Sequence, residues 1–225
     1  AHMQDKLSGK TDPSELLALV ATPPDDLDRI PVRADLLVLV FDRPASPGNL
    51  GTLIRSCDAL GAHGLIVTGH AADVYAPETV SASAGSLFAL PVVRLGSYRE
   101  LIPWFESVGA RIGDFQLVGT SAKGDQDLED VDLAGPTVLL LGNETWGLSA
   151  AYKELCDVMV RIAIRKGGAT SLNVACAGSI VLYEVDRCRR ARRRGTHRAV
   201  ELASPTSEAN KRLTSGAAAA IIISA

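Results

Sequence analysis

Short apolar runs alternate with segments of helical periodicity along most of this 225-residue chain. The runs at 36–41, 64–68 and 137–141 contain few polar side chains, which is typical of strands buried on both faces of a parallel sheet. Further strands are predicted at 91–95, 115–119 and 158–164. This alternation predicts an α/β fold, in which a mostly parallel sheet is flanked by helices.

Helix boundaries are predicted from start and stop signals between these runs. Pro77 suits a first helical position, and Ser97 with Glu100 three residues later forms a capping box. Asp42 to Gly48 contains two prolines and a glycine, so a loop is expected there. The predicted helices are 50–60, 77–84, 97–108, 149–155 and 171–190, with a short additional helix around 16–20.

Composition limits the classes of function. Hydrophobic residues make up 47% of the chain but aromatic residues only 4%, so the core must be aliphatic. The net charge of −3 does not mark the whole molecule as a nucleic-acid binder. The four cysteines form no C-x-x-C pair, so no metal site is expected. Without a signal peptide or a membrane-spanning run, we expect a reduced, cytoplasmic protein.

Three regions are predicted along the chain. Residues 1–33 contain a cloning scar, the short helix and a linker; 34–195 form one α/β domain; and 196–225, being rich in small and polar residues, form a disordered tail.

Three short polar segments each follow a predicted strand. They read NLGTLIR at 49–55, GNETWGLS at 142–149 and SLNV at 171–174. Open α/β sheets bind ligands at the carboxyl ends of their strands, so the three segments are expected to form one ligand crevice.

Each segment also has a purely structural interpretation. For the first segment alone, an N-cap at Asn49 with Arg55 on the surface is preferred, because caps are common. In the second, Gly142 could let the backbone approach a ligand and Glu144 could orient it, but a tight turn before a helix explains both glycines equally well. In the third, Ser171 suffices as a cap, so Asn173 is surplus and favours a functional role.

Several common site motifs are missing from the sequence. No G-x-G-x-x-G follows the first strand and no G-x-x-x-x-G-K-[ST] occurs, which disfavours dinucleotide-binding and P-loop folds. His63, His70 and His197 pair plausibly with no serine or cysteine, so they are interpreted as ordinary surface or core residues.

Taken together, the three segments resemble the motifs of the SpoU-type (TrmH-like) branch of the SPOUT RNA methyltransferases, over about residues 34–190. The resemblance implies a SPOUT fold whose C-terminal chain forms a deep trefoil knot. It also implies a homodimer that binds S-adenosylmethionine and methylates a ribose 2′-hydroxyl of ribosomal or transfer RNA. Trp146 is bulky for its place in the second motif.

The resemblance also assigns roles to individual residues. The catalytic positions would be Asn49, Arg55, Glu144, Ser171 and Asn173. The cofactor-binding positions would be Thr120, Gly142, Asn143, Ile162, Ile164 and Leu172. A guanidinium keeps its proton at neutral pH, so Arg55 is interpreted as a clamp on the phosphate beside the target ribose, through which the hydroxyl proton can be relayed. Glu144 would orient Arg55 or a neighbouring group.

An arginine-rich segment follows the third motif. Seven arginines lie between 187 and 198. A solvated helix end would explain some of them, but the number favours RNA backbone contact by Arg187, Arg190, Arg193 and Arg194 together with Arg55.

Two further functions remain open at this point. A non-catalytic RNA-binding or ribosome-associated module could keep the same fold, although the joint presence of Arg55, Glu144, Ser171 and Asn173 favours an enzyme. A base methyltransferase of another SPOUT branch is disfavoured by the pairing of Asn49 with Arg55. Homodimerisation is also expected from the apolar helix face formed by Leu50, Leu53, Ile54 and Cys57.

Overall fold

The computed structural model describes residues 18–165 and 167–203, with side chains described up to residue 194. Seven parallel strands form one sheet in the order β3-β2-β1-β6-β4-β7-β5. The strands are β1 (Leu37–Asp42), β2 (Gly64–Thr68), β3 (Val92–Leu95), β4 (Gln116–Thr120), β5 (Gln126–Asp127), β6 (Thr137–Leu141) and β7 (Val158–Arg161). The prediction of a mostly parallel sheet flanked by helices is confirmed, and the trefoil knot stays a prediction.

Five helices connect or flank these strands in the described part of the chain. They are α1 (Pro47–Ala59), α2 (Pro77–Ser83), α3 (Leu101–Ile112), α4 (Ala150–Leu155) and α5 (Val174–Ala203). Four short 3₁₀ turns complete the structure, at Leu27–Arg29, Ser86–Phe88, Tyr98–Glu100 and Leu128–Asp130.

The sheet separates two aliphatic cores. In β1, Leu37, Leu39 and Phe41 face the core that contains α1 and α5, while Val38 and Val40 face the core that contains α3 and α4. All six residues of β1 are buried. Burial on both faces explains why the central strands appear in the sequence as continuous apolar runs.

Several predicted boundaries are shifted for local reasons. The capping box of Ser97 and Glu100 is confirmed, although it opens the 3₁₀ turn that leads into α3. Helix α1 begins at Pro47 inside the predicted loop, because the Ser46 side chain caps it and proline suits its first turn. The short edge strand β5 was not predicted, since two residues carry no periodicity.

The ends of the chain also differ from expectation. Residues 18–20 are not helical, and the rest of the helix predicted around 16–20 lies outside the described residues. Helix α5 continues to Ala203 rather than ending near Arg190. Of the predicted disordered tail, 204–225 lies outside the described residues.

The segment before β1 covers one edge of the sheet. Asp25 accepts a hydrogen bond from the backbone N–H of Arg94 in β3 and forms an ion pair with its side chain. Arg29 donates to the carbonyl of Val92, and Ile30 is buried in the core. The linker is therefore packed against the edge strand, whose free backbone groups it satisfies.

The homodimer argument drawn from α1 is wrong. Leu50, Leu53, Ile54 and Cys57 are each fully buried, because that face of α1 packs within the protomer's own core. Gly51 contributes to this packing: a Cβ there would lie 2.4 Å from the carbonyl oxygen of Thr79 in α2. The glycine of the first motif therefore permits close contact between α1 and α2.

Candidate active site

A cleft opens at the carboxyl ends of β6, β4 and β7, which are neighbours in the sheet. Its floor includes Leu141, Val160 and Val181, all of them buried apolar side chains. The six residues assigned to the cofactor by sequence all line it: Thr120, Gly142, Asn143, Ile162, Ile164 and Leu172. Glu144 and Ser171 line it as well, so residues from two of the three motifs meet here.

One chain of hydrogen bonds links the three sequence motifs beside this cleft. The Asn173 side-chain amide donates to Asn49 Oδ1 at 3.0 Å, and the Asn49 amide donates to Glu144 Oε1 at 3.1 Å. Glu144 also accepts from the backbone N–H groups of Ala45 at 3.0 Å and Ser46 at 3.1 Å. Segments separated by about a hundred residues are thereby fixed relative to each other.

Glu144 is suited to orient its neighbours rather than to abstract a proton. Partial burial alone would raise the pKa of its carboxyl, but hydrogen bonds from Ala45, Asn49 and Ser46 outweigh burial and lower the pKa below its ordinary value. An ionised carboxylate with three donors already bound is a weak base. Its side-chain partner is Asn49, and no hydrogen bond or ion pair joins Glu144 to Arg55 among the described residues.

The structural roles predicted for the two asparagines are wrong. Ser46, not Asn49, caps α1, because the helix begins at Pro47 and places Asn49 in its first turn. Asn173, not Ser171, caps α5: its Oδ1 accepts from the N–H groups of Ala175 at 2.8 Å and Cys176 at 3.3 Å. Asn173 is therefore not surplus to the cap; one side chain both caps the helix and binds Asn49.

Ser171 remains available to a ligand. Its side chain is exposed at the rim of the cleft, and no described residue forms a hydrogen bond with its hydroxyl. Thr120, by contrast, uses its hydroxyl to bind the carbonyl of Leu140.

Arg55 lies outside the cleft, on the exposed side of α1. Its guanidinium has no hydrogen-bond or ion-pair partner among residues 18–165 and 167–194. Asn49 lies one and two-thirds helical turns before Arg55 on the same helix. The hydrogen-bond chain through Asn49 therefore fixes the position of the helix that carries Arg55. An unpaired arginine on a braced helix is available for an anionic ligand.

The second motif folds into a tight, braced loop. Asn143 and Gly147 exchange two backbone hydrogen bonds, and Asn143 Oδ1 accepts from the N–H groups of Thr145 and Trp146. A Cβ on Gly142 would lie 2.0 Å from the backbone nitrogen of Leu148. The loop's own packing therefore requires a glycine at 142, as the tight-turn interpretation expects, while a role of Gly142 in ligand approach stays a prediction.

Asp42 and Arg43 support this loop and were missed by sequence reasoning. Asp42 is 4% exposed and accepts from the Ser149 N–H at 3.1 Å, while Arg43 binds both its carboxylate oxygens at 3.0 Å. The Arg43 backbone is left-handed, with φ of 51°, and its carbonyl accepts from the Asn143 side chain. An aspartate that ends a wholly apolar strand was the available signal.

The arginine-rich segment is not a uniform cationic surface. Arg189 is 8% exposed and donates to the carbonyls of Asp35, Leu36 and Gly135, so it joins α5 to the sheet. Arg187 pairs with Glu184, and Arg190 with Asp186. Arg193 lies 3.8 Å from Asp35 with a largely exposed side chain, and Arg194 is exposed. Arg198 lies where side chains are not described.

Two structural findings concern metals and membranes. Within 18–165 and 167–203, no three His, Cys, Asp or Glu side chains are grouped as metal ligands would be. None of the helices described is both long and apolar enough to cross a bilayer.

Comparisons of the sequence with a family model and with a related protein both give the same protein family. The sequence model of the SpoU rRNA Methylase family matches residues 36–183. The chain is 55% identical over 184 residues to a 23S rRNA (uridine(2479)-2′-O)-methyltransferase of Streptomyces viridochromogenes, covering 82% of this chain and 64% of that protein.

Solved structures give the same family. The SpoU methyltransferase AviRb of S. viridochromogenes, in complex with AdoMet, superposes with a TM-score of 0.73 at 56% identity, covering 75% of this chain and 66% of that one. An AdoMet-bound rRNA methyltransferase of Sinorhizobium meliloti has a TM-score of 0.72 at 32% identity, covering 81% of this chain and 68% of that one. The chain thus spans about two thirds of the length of these relatives.

Proposed function

Because this chain belongs to the SpoU rRNA methylase family, we propose that it transfers a methyl group from S-adenosylmethionine to a ribose 2′-hydroxyl of ribosomal RNA. The observation that carries the proposal is the hydrogen-bond chain from Asn173 through Asn49 to Glu144. It joins the three motifs beside a single cleft, at the sheet edge where open α/β folds bind ligands.

The residues of the cleft suit S-adenosylmethionine. An apolar floor with polar groups at its rim is typical of sites for a ligand that combines an aromatic base with polar substituents. Ile162, Ile164 and Leu172 would hold the adenosine part, together with backbone groups of Gly142 and its neighbours. When bound, the sulfonium supplies an electrophilic methyl group.

Arg55 would bind the RNA rather than the cofactor. Its guanidinium can form two parallel hydrogen bonds with the phosphate beside the target ribose, which places the 2′-hydroxyl in line for displacement. Ser171, the unpaired hydroxyl at the rim, would help to position the ribose. As the new carbon–oxygen bond would form, the carbon–sulfur bond would break to leave S-adenosylhomocysteine, and the hydroxyl proton would leave through the phosphate that Arg55 holds.

Glu144, Asn49 and Asn173 would position these groups without contacting the reacting atoms. Their polar atoms are occupied by one another and by backbone groups. They hold the helix that carries Arg55 in register with the cleft, and a small displacement between the two would be costly for an in-line reaction.

A homodimer is part of the proposal, on grounds other than the sequence argument. Leu172, just before α5, is 41% exposed, and Ile180 and Tyr183 within the helix are 40% and 52% exposed. Ser56 bonds to Ser179, which brings Arg55 of α1 close to this apolar surface. A second copy could cover it, and light scattering at micromolar concentration would show a mass of twice 23.7 kDa. A monomer would contradict this part.

Two measurements test the proposed activity. Calorimetry should detect S-adenosylmethionine binding, and mapping of 2′-O-methyl groups in 23S rRNA should show a site that appears only in cells that contain the gene. Absence of cofactor binding would instead favour the non-catalytic RNA-binding module. Methylation of transfer RNA alone would correct the substrate but not the chemistry.

The four free cysteines agree with a reducing compartment such as the cytoplasm.

A further inference from the structure

Trp146 is exposed to solvent on a loop whose backbone is held by several hydrogen bonds. Its side chain is 78% exposed, more than Tyr183, Ile180 or Leu172. A single exposed aromatic residue needs no explanation by itself. Here, however, its backbone N–H is bound by Asn143 Oδ1, and the loop is closed by two hydrogen bonds between Asn143 and Gly147.

Nothing in the fold of this loop requires an indole. Gly147 takes the left-handed conformation that the turn needs, with φ of 67°, whereas Trp146 is not in that region. The hydrogen bonds of the loop use backbone groups and the side chain of Asn143, so a smaller residue at 146 would leave them intact. The tryptophan therefore contributes surface rather than structure.

The position of Trp146 relative to the cleft limits which ligand its side chain can contact. Glu144 and Gly147, on either side of it, line the cleft, but Trp146 does not. Its ring therefore lies outside the cofactor cleft, on the same loop as Glu144, whose carboxylate binds Asn49 of the helix that carries Arg55. This loop both lines the cleft and binds the helix that carries Arg55, so an RNA strand that reaches from Arg55 to the cleft would pass along it.

We infer that Trp146 stacks on an unpaired base of the RNA substrate, next to the nucleotide that is methylated. This inference rests on the proposed function and extends it to the substrate's form: the target would lie in a loop or single strand. Unpaired bases of RNA bind to aromatic faces in this way, largely independently of base identity. A rigid loop lowers the cost of binding, because the ring's support is ordered beforehand.

The test compares Trp146→Ala, Trp146→Phe and the control Phe88→Ala. Phe88 is also a strongly exposed aromatic residue, at 67%, but it lies before β3 at the opposite, amino end of the sheet. With protein-free 23S rRNA as substrate, Trp146→Ala should raise KM roughly 5- to 150-fold, with kcat and cofactor affinity within about twofold. Trp146→Phe should restore most of the loss, and Phe88→Ala should match wild type.

A second measurement does not depend on turnover. Trp104, the other tryptophan of the chain, is only 7% exposed. A single-stranded RNA oligonucleotide of mixed sequence should therefore quench the emission of Trp146 in wild type, and this quenching should vanish in Trp146→Phe. If wild type methylates no RNA but the quenching persists, the proposed function fails while the stacking inference stands.

Two results would overturn the inference. In the first, Trp146→Ala shows the KM of Phe88→Ala and wild-type RNA quenches no more emission than Trp146→Phe. In the second, Trp146→Ala changes the oligomeric mass in light scattering, which would assign the ring to contact with a second copy of the chain. Either result leaves the proposed methyl transfer intact.

Discussion

At the scale of single residues, the site depends on side chains with two partners each. Asn173 caps α5 through its oxygen and binds Asn49 through its nitrogen. The side-chain nitrogen of Asn49 in turn donates to Glu144, whose carboxylate accepts hydrogen bonds from N–H groups only. The orientation of both amides is therefore determined by what they contact, and reversal of either would place two oxygens face to face.

Asn173→Asp separates the two roles of this residue. Aspartate caps a helix about as well as asparagine, so stability should stay within about 0.5 kcal/mol of wild type. The carboxylate cannot donate to Asn49, and if the Asn49 amide turned to donate to it, the Asn49 oxygen would face Glu144. In either arrangement two side-chain oxygens face each other, at residues 173 and 49 or at residues 49 and 144. This repulsion should displace the helix that carries Arg55, so methyl transfer should fall roughly tenfold or more.

The matched control is Asn173→Ser, which keeps a capping oxygen without adding a charge. It should lose less activity than Asn173→Asp, because the link is missing but no repulsion is introduced. Unfolding midpoints and single-turnover rates, measured side by side, provide the comparison. If Asn173→Asp turned over like wild type, the hydrogen-bond chain would have no part in positioning.

At the scale of elements, the helix termini decide what the sequence could and could not reveal. Periodicity located the central strands, because burial on both faces leaves them continuously apolar. The caps of α1 and α5 were assigned to the wrong residues, since capping depends on where each helix begins, and Pro47 and Val174 set those starts. The burial of Arg189 depends on carbonyls at the starts of distant strands, which no local pattern reports.

His63 links β1 and β2 in a way that depends on pH. Its Nδ1 accepts the backbone N–H of Leu37 at 3.0 Å, so it must be unprotonated. Burial lowers the pKa of His63, with Arg33 and Arg189 acting in the same direction and Asp35 opposing them. The unfolded chain therefore binds the proton more readily, so the contribution to stability is complete above about pH 6.5 and declines as the pH falls.

His63→Asn keeps a side-chain acceptor but removes this titration. Wild type should therefore lose more of its urea midpoint than His63→Asn between about pH 7.5 and pH 5.5. His70→Asn, a change at an exposed histidine, should follow wild type. Parallel pH curves for wild type and His63→Asn would show that His63 is not the titrating group.

The end of α5 offers a test of RNA backbone binding with an internal control. Arg187 and Arg190 are paired with carboxylates of the same helix, whereas the largely exposed Arg193 lies 3.8 Å from Asp35, outside this helix, and Arg194 is exposed. Replacing Arg193 and Arg194 by alanine should lower the slope of log affinity against log salt by roughly 0.7–0.9 for each phosphate that is no longer bound. The Arg187→Ala, Arg190→Ala double variant should change it less, and an unaltered slope in both would leave α5 as a solvated helix end.

At the scale of the whole molecule, the order of the strands brings the distant motifs together at the carboxyl ends of the central strands. The ends of β1 and β6 are adjacent, and β4 and β7 follow. The sequence could predict that the motifs meet, since parallel strands share their carboxyl edge. It could not predict that the cofactor cleft and Arg55 lie on separate surfaces joined by three side chains, because that division depends on the tertiary contacts of α1 with α5.

The central claim is that Arg55 acts on the RNA side and the cleft on the cofactor side. The most direct test measures single-turnover methyl transfer to 23S rRNA and S-adenosylmethionine affinity in Arg55→Ala. Arg111→Ala serves as the control, since Arg111 is exposed at the end of α3, away from the cleft. Arg55→Ala should lower the transfer rate by about a hundredfold or more with cofactor affinity within a few-fold of wild type, while near wild-type transfer by Arg55→Ala would contradict the account.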